Sequence, residues 1–370
     1  MRLALRELHR RPGRFGVAAT ILTLIAVLLM FLGGLLDGLT AGNTGAVRAQ
    51  RADLIVFSST ARDSLVRSRI DPAVRRSVTA VAGVRRVGGL GSVQLGGRVP
   101  GRGARDLVPI VLFGYERAPR SLPATPPPRG EVYADDTLRS KGVRKGTVIR
   151  LGPERTAVRV VGFVSDARYS GQATVWGSLS TWRAVLNANR PAARVGAGVT
   201  QALVIDTTGN RSAVADAIDR ATGEATSSLT VAEVIDALPG VSQQRSVFNQ
   251  IIGVTVVIAI VVVALFFALI TVERTALYGV LKAIGARSRT LFAGVVLQAV
   301  VVTLIASAIG AIAAVVLDAA IPPGAIPFVA TPARLLSSVG YLLVAAIAGC
   351  AFSLRRVLRI DPATAIGGAP

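Results

Sequence analysis

Few residues in this 370-residue chain have the types and spacing that catalysis or metal binding requires. The chain has one cysteine, Cys350, and one histidine, His9. These counts exclude metal sites built from several Cys and His ligands, Cys–His or Ser–His–Asp catalysis, and an intrachain disulfide. The adjacent carboxylates Asp135 and Asp136 could form a catalytic dyad, but we favour the start of a helix with Asp136 near its N-cap. We therefore predict no catalytic residue, no metal site and no enzyme activity on this chain.

The sequence also gives little support for a nucleotide-binding or nucleic-acid-binding site. The segment "VRKGT" lacks the Gly-Lys-Ser/Thr order of a Walker A loop, so the chain supplies no cradle for nucleotide phosphates. The net charge of +21 and pI near 11.6 would suit nucleic-acid binding. However, the basic residues are spread along the chain with few aromatic residues between them, so we expect no nucleic-acid partner.

The most ordered charged stretch is "TVERTALYGVLKAIGARSRT", residues 271–290. Its apolar residues recur at helical spacing and form one stripe: Ala276, Leu277, Val280, Leu281 and Ile284. Gly285 is placed to end this helix, and Ser288 can cap the next one. From the residues alone, two interpretations remain open: an interfacial helix whose basic side chains snorkel, or a docking element for a partner.

The elements on either side of this stretch are long and apolar. The chain is 51% hydrophobic with a mean hydropathy of +0.55, and four runs approach or exceed the roughly 20 residues that a membrane helix needs: 15–36, 247–272, 291–317 and 335–354. We interpret the first as a retained anchor because it is longer than the apolar part of a signal peptide. Small residues at 306–314 in the third run would permit close helix packing, either at a dimer seam or within one subunit.

Basic residues in the short connections predict the orientation. Among the short segments outside the apolar runs, arginines and lysines outnumber acids in the leader 1–14, the connection 273–290 and the tail 355–370, whereas the loop 318–334 has only Arg334 against Asp318. The positive-inside rule therefore places both termini and the 273–290 connection in the cytoplasm of a multi-pass cell-membrane protein.

Residues 37–246 form the one large insertion, which this orientation places outside the cell. Short apolar alternations and turn residues predict an α+β domain. The Pro-rich stretch "SLPATPPPRG" predicts a boundary before a β-rich sub-domain at about 125–206. The expected fold is thus a polytopic α-helical membrane protein with four transmembrane helices and a large α+β extracytoplasmic domain inserted between the first two.

Segments across nearly the whole chain resemble the FtsX/MacB-like (including DevC-like) permeases of ABC transporters. The stretch from Glu273 into the third span resembles the family signature at a set of matching positions: Glu273, Arg274, Gly279, Leu281, Lys282, Ala283, Gly285, Ala286 and Gly310. The tail "SLRRVLRIDPATAIGG" is similar to the closing motif of the family at Arg359, Ile360, Pro362, Ala363 and Ala365. The segment from Glu131 to Leu186 is similar to the MacB periplasmic core domain, although Lys145–Gly146–Thr147 stands where many relatives have a Gly–Asp pair.

The resemblance implies roles for these segments and for partner chains. Residues 1–14 would be a cytoplasmic amphipathic helix, and 273–290 a coupling helix that docks on a cytoplasmic ABC ATPase through the following residues: Glu273, Arg274, Leu277, Gly279, Leu281, Lys282, Ala283, Ile284, Gly285 and Ala286. No ATPase domain is fused, so ATP and Mg²⁺ would be bound by that separate subunit, with no cofactor on this chain.

The same resemblance implies a permease that pairs with a second copy, lies in membrane lipid and exports a lipid, peptide, antibiotic or similar amphiphile. An extracytoplasmic adaptor, substrate-binding protein or hydrolase would be a further partner. The alternative is a mechanotransmission protein, like FtsX, that regulates a cell-wall hydrolase or a sensor kinase.

Overall fold

The computed structural model describes residues 12–103, 105–273, 288–322 and 326–357. Its helices, in chain order, are α1 Pro12–Arg48, α2 Pro72–Thr79, α3 Leu179–Asn189, α4 Arg211–Ala221, α5 Val231–Ala237, α6 Val241–Glu273, α7 Ser288–Ala320 and α8 Pro332–Val357. Its strands are β1 Leu54–Ser58, β2 Val84–Arg98, β3 Val108–Tyr115, β4 Glu131–Asp135, β5 Val148–Leu151, β6 Thr156–Val164, β7 Ala173–Ser178, β8 Ala202–Thr207 and β9 Thr226–Thr230.

Two compact units are formed by the described residues. The membrane unit comprises the residues up to Gly38, those from Arg245 to Pro322 and those from Ile326 onward, and the inserted domain comprises Leu39–Gln244. Four helices are long and apolar enough to cross a membrane, with candidate spans at Gly16–Arg48, Val241–Glu273, Ala293–Ala320 and Pro332–Phe352. Four membrane helices and one inserted α+β domain were predicted from the sequence.

Helices α1 and α6 are longer than the apolar runs from which they were predicted. Helix α1 continues twelve residues beyond the predicted end of the first span at residue 36, and α6 begins six residues before the second. Hydropathy marks only the part of a helix that suits hydrocarbon. The end of α1 is stabilised instead by the inserted domain, where Ala46 and Val47 are buried. A Cβ built on Gly45 would lie 2.7 Å from the carbonyl oxygen of Asp166, so only glycine permits this approach.

The inserted domain is built on one nine-stranded sheet in the order β3-β7-β4-β6-β5-β2-β8-β1-β9. Strand β2 also pairs with β3, so six strands, β2-β3-β7-β4-β6-β5, close into a ring. Pairs β3–β7 and β4–β7 join strands on both sides of the Pro-rich loop. The predicted sub-domain boundary at that loop is therefore wrong, because the loop connects strands of one sheet.

Large apolar side chains fill the domain on both sides of the sheet. One buried cluster contains Trp182 of α3 with Ile110, Val160 and Val175. Another contains Phe113 and Trp176, whose rings stack with centroids 4.5 Å apart. Helix α3 and strands β1 and β9 were not predicted, because "STWRAVL" and "LIVFS" are too short for a clear period.

Two glycines adopt positive φ where helices end, and the helix cap at the carboxylate pair differs from the prediction by one residue. Gly83, with a φ of 91°, follows α2, and Gly240, with a φ of 81°, separates α5 from α6; glycine adopts such angles without steric cost. At the carboxylate pair, however, the N-cap is Asp135 rather than Asp136, and the element that follows is a 3₁₀-helix, Asp136–Lys141. Asp135 accepts hydrogen bonds from the backbone N–H and the hydroxyl of Thr137.

Candidate functional site

The predicted coupling segment lies between the end of α6 and the start of α7. Of its named residues, the structure describes Glu273, the last residue of α6, and the chain resumes at Ser288, the first residue of α7. The other nine residues named in the segment fall outside the described residues, as do the four of the closing motif. They are Arg274, Leu277, Gly279, Leu281, Lys282, Ala283, Ile284, Gly285 and Ala286 in the segment, and Arg359, Ile360, Pro362 and Ala363 in the tail. Their roles stay predictions. For the coupling segment, the structure describes the two flanking helices, α6 and α7.

All four membrane helices meet in one buried cluster. Leu22 of α1 packs with residues of α6, α7 and α8, which are Val263, Phe267, Ile270, Ala299, Val302, Ala306, Ala346 and Cys350. Phe267 and Ile270 lie within the last two turns of α6, immediately before the coupling segment. The helices that leave and enter that segment are thus packed against the rest of the bundle.

Glycines bring these helices close together. A Cβ built on Gly310 of α7 would lie 3.0 Å from the Cβ of Ala26 in α1. One built on Gly349 of α8 would lie 2.8 Å from the carbonyl oxygen of Ile260 in α6. In α7 the small residues Ala306, Ser307, Gly310 and Ala314 are buried within the chain. Of the two interpretations left open for this stretch, the structure favours packing within one subunit.

A cluster that we call the Asp37 clamp ties α1 to the start of α8. Arg334 donates from Nη2 to Asp37 Oδ1 at 2.5 Å and from Nε to the same oxygen at 3.2 Å. Thr331 Oγ1 donates to Asp37 Oδ2 at 2.8 Å. Close by, the backbone N–H of Val329 donates to the carbonyl of Gly34 at 3.1 Å, and the ring of Phe328 stacks on Phe31. Both ion-paired side chains are less than one quarter exposed, so the two helices are held by charge as well as by packing.

The clamp was not predicted from the sequence. Arg334 was considered there only as the single base of the loop 318–334, as a guide to orientation. The available signal was that an acid ends one span and a base begins another. A pairing 297 residues apart has no local pattern, so this signal could not be converted into a contact.

Three carboxylates of the inserted domain, Glu116, Asp135 and Asp136, have hydrogen-bond or ion-pair partners within that domain. Burial opposes ionisation of Glu116, but hydrogen bonds from the Arg75 guanidinium and the Gly89 N–H outweigh it and lower the pKa of Glu116. Burial raises the pKa of Asp135 despite the hydrogen bonds from Thr137. Asp136 instead pairs with Arg139 at 3.1 Å. The two adjacent carboxylates therefore have separate partners and do not act as a dyad.

Comparisons with known proteins connect the membrane unit to a family. The family model described as FtsX-like permease C-terminal matches residues 249–362. Over its whole length the chain is 19% identical to the "Putative hemin transport system permease protein HrtB" of Staphylococcus haemolyticus, covering 100% of this chain and 99% of that one. An "Uncharacterized ABC transporter permease" of Mycobacterium bovis is 40% identical over 116 residues, which are 30% of this chain and 31% of that protein.

Two solved structures align with about half of the chain. The periplasmic region of MacB from Actinobacillus actinomycetemcomitans aligns with a TM-score of 0.36 and 9% identity, covering 52% of this chain and 96% of that one. The extracellular domain of the transporter YknZ from Gram-positive bacteria aligns with a TM-score of 0.33 and 11% identity, covering 48% and 99%.

Proposed function

This chain is an ABC transporter permease of the FtsX type, and from that premise we propose that it is the membrane subunit of a dimeric complex driven by a separate ATPase. The observation that carries the proposal is the match to the FtsX-like permease domain at residues 249–362, which includes the two helices flanking the coupling segment. ATP and Mg²⁺ are bound by the partner subunit, and this chain converts their hydrolysis into movement.

The coupling segment receives that movement. Its apolar stripe, with Leu277, Leu281 and Ile284, lies in a groove of the ATPase, and Arg274 and Lys282 face acidic residues of that partner. The orientation that goes with this role has both termini and residues 273–290 in the cytoplasm, as the basic residues of the short connections indicate. The clustering of all four helices around Phe267 and Ala306 supports the role, because a packed bundle moves as a unit.

Helix continuity supports transmission toward the inserted domain. Helices α1 and α6 each run unbroken through residues of both units, α1 to Arg48 and α6 from Val241. Within the candidate spans, the apolar part of each helix is free of Lys, Arg, Asp and Glu. A path for protons or ions across the bilayer usually contains such a group. A mechanical role therefore fits these helices better than passage of an ion through them.

The outer faces of the bundle suit lipid and a second copy. Exposed apolar side chains recur every three or four residues along α6, at Val254, Val257, Val261, Leu265 and Leu269. An apolar face of this kind is suited to contact with the hydrocarbon of the bilayer or with another helix. The transported molecule is an amphiphile taken from the outer leaflet or external space. Because the full-length relative is named for hemin, a porphyrin is the first amphiphile to test.

Co-purification with an ATPase tests the docking proposal. The tagged full-length chain is purified from membranes of its host, and the amount of co-purified ABC ATPase and its rate of ATP hydrolysis are measured. The variant Arg274→Ala/Lys282→Ala/Ile284→Ala should lose most of both. The matched control, Arg67→Ala/Lys145→Ala/Val66→Ala, removes two cations and one exposed aliphatic side chain from the inserted domain and should keep both. Equal retention in the two variants would refute docking through this segment.

Signalling to a cell-wall hydrolase or a sensor kinase is the alternative use of the same mechanics, supported by the absence of Lys, Arg, Asp and Glu from the apolar spans noted above. Transport in proteoliposomes separates the two. ATP-dependent movement of an amphiphile supports export, whereas ATP hydrolysis that alters a bound external partner without any transport supports signalling.

A further inference from the structure

We propose that the inserted domain carries a binding site for a hydrophilic polyanion, in an arginine-lined cleft that is separate from ATPase docking. The cleft has a volume of about 660 Å³, and six arginines line it: Arg51, Arg85, Arg86, Arg117, Arg120 and Arg211. All of them belong to the inserted domain. The acids that line the cleft are Asp53 and Asp206, so its formal charge is +4.

The six arginines divide into two groups. Three are engaged by the acids: Arg117 Nη2 lies 2.5 Å and Arg85 Nη2 3.3 Å from Asp206, and Arg211 Nη2 lies 2.8 Å from Asp53. These pairs neutralise both acids, and they hold three guanidinium groups in place. The remaining three, Arg51, Arg86 and Arg120, are exposed and have no acidic partner within 4 Å among the residues that the structure describes.

The unpaired arginines come from three elements that the fold ties together. Arg51 follows the end of α1, Arg86 lies on β2, and Arg120 follows β3. The backbone N–H of Arg120 donates to the carbonyl of Ala49 at 2.6 Å, which joins the segment after β3 to the segment after α1 near the cleft. Like charges brought together by a fixed backbone repel one another unless an anion lies between them, and a cleft lined by one sign of charge concentrates its field on such an anion.

Two buried polar atoms of lining residues also lack a protein partner. Gln50 is 4% exposed; its Nε2 donates to the carbonyl of Ala46, while its Oε1 has no hydrogen-bond partner among the described residues. Arg117 Nη1 is likewise buried and without a partner there. Buried polar atoms in proteins are almost always satisfied by protein, water or ligand. Arg117 Nη1 is a donor that a phosphate oxygen can accept from, whereas Gln50 Oε1 is an acceptor and needs a donor such as water.

The shape and lining define the class of ligand. A volume of about 660 Å³ corresponds to about twenty waters at roughly 30 Å³ each, which is more than one tetrahedral anion needs. Ala52 is the one apolar residue in the lining, whereas sites for amphiphiles are mostly apolar. The planar fork of arginine matches phosphate oxygens in pairs. The ligand is accordingly a chain or cluster of phosphate groups, either soluble or displayed as lipid headgroups, and the cleft does not hold the apolar part of a transported amphiphile.

Inorganic tripolyphosphate is the probe. Its binding to the full-length chain in phosphatidylcholine nanodiscs is measured by titration calorimetry, with orthophosphate for comparison. We expect tripolyphosphate to bind at least tenfold more tightly than orthophosphate. The variant Arg51→Gln/Arg86→Gln/Arg120→Gln should lose at least tenfold in affinity for tripolyphosphate. The control Arg67→Gln/Arg129→Gln/Arg144→Gln removes three exposed arginines outside the cleft and should change the affinity by less than threefold.

A second variant separates charge from geometry and guards against misfolding. Arg51→Lys/Arg86→Lys/Arg120→Lys keeps the charge but loses the planar fork, so its affinity should lie between those of the wild type and the Gln variant. Equal losses in the Gln variant and its control would overturn the proposal in favour of diffuse charge, and so would a wild-type chain that binds no tripolyphosphate.

The source of the phosphate groups is decided in a second arm. If phosphatidylglycerol nanodiscs weaken tripolyphosphate binding at least fivefold relative to phosphatidylcholine nanodiscs, lipid headgroups occupy the cleft. Unchanged binding assigns the cleft to a soluble polyanion. ATPase co-purification is unaffected in either case, so failure of this proposal is distinct from failure of the proposed function.

Discussion

Replacement of the buried acid Asp206 by asparagine should destabilise the inserted domain strongly. The side chain of Asp206 is 8% exposed and pairs with Arg117, which is 19% exposed, and with Arg85, which is 56% exposed. Removal of its charge leaves the Arg117 guanidinium largely buried without a counter-charge. Breaking a buried pair in this way costs about 3–5 kcal/mol. Residual exposure of Arg117 favours the lower end of that range, and the exposed pair with Arg85 adds about 0–1 kcal/mol.

The expected loss in unfolding free energy is therefore about 3 kcal/mol. For a domain of 150–250 residues, each kcal/mol lowers the melting temperature by about 2–4 °C, so the midpoint should fall by about 6–12 °C. The control is Asp136→Asn. Asp136 pairs with Arg139, and their side chains are 42% and 60% exposed. This exposed ion pair should contribute no more than about 1 kcal/mol to the unfolding free energy.

Tryptophan fluorescence of the full-length chain in detergent micelles is a suitable assay. The chain has two tryptophans, Trp176 and Trp182, and both are fully buried in the inserted domain. Their emission therefore reports unfolding of this domain without interference from the membrane unit. A midpoint for Asp206→Asn no lower than that of Asp136→Asn would refute the reasoning, because the two acids would then contribute alike despite their different burial.

Three further predictions concern packing, acid stability and thiol chemistry. Gly349→Val should lower the thermal stability of the detergent-solubilised chain, because the valine side chain would collide with α6. The control Gly340→Ala places a methyl group in open space. It should leave the unfolding free energy unchanged or raise it by up to about 1 kcal/mol. The lowered pKa of Glu116 contributes stability that is present above its unfolded pKa and lost as the pH falls through the lower, folded value. Glu116→Gln should therefore flatten the loss of the tryptophan-monitored midpoint as the pH falls below about 4.5; an unchanged slope would contradict this. Cys350 is 1% exposed, so a water-soluble maleimide should label it only after denaturation, and rapid labelling of the native chain would show that the α6–α8 packing is open.

The clamp around Asp37 bears on how the membrane helices move. It fixes the end of the apolar part of α1 to the start of α8 through an ion pair, a hydroxyl donor and a backbone hydrogen bond to Gly34. Helix α1 then continues to Arg48 among residues of the inserted domain. In the proposed mechanism, displacement of the bundle reaches that domain through α1 and α6 together. The clamp would keep α1 and α8 from sliding past each other during that displacement.

The features that depend on local composition could be predicted from the sequence. Four apolar runs predicted four membrane helices because the solvation of a helix by lipid depends on the residues of that helix alone. Turn residues in the insertion helped to predict an α+β domain because the conformation of a turn is a local requirement. Most strands of the inserted domain were visible as short alternations, and the family signature was visible around Glu273 because its residues are contiguous.

Contacts between residues that are distant in the sequence became known from the folded chain. The six-strand ring joins both sides of the Pro-rich loop, although composition suggested a boundary there. The small residues of α7 turned out to pack against α1 of the same chain, with Gly310 beside Ala26. The Asp37 clamp and the arginine cleft combine residues that are scattered along the sequence. Ion pairs, close helix crossings and clusters of like charge depend on distances in space, and a sequence without its fold does not contain those distances.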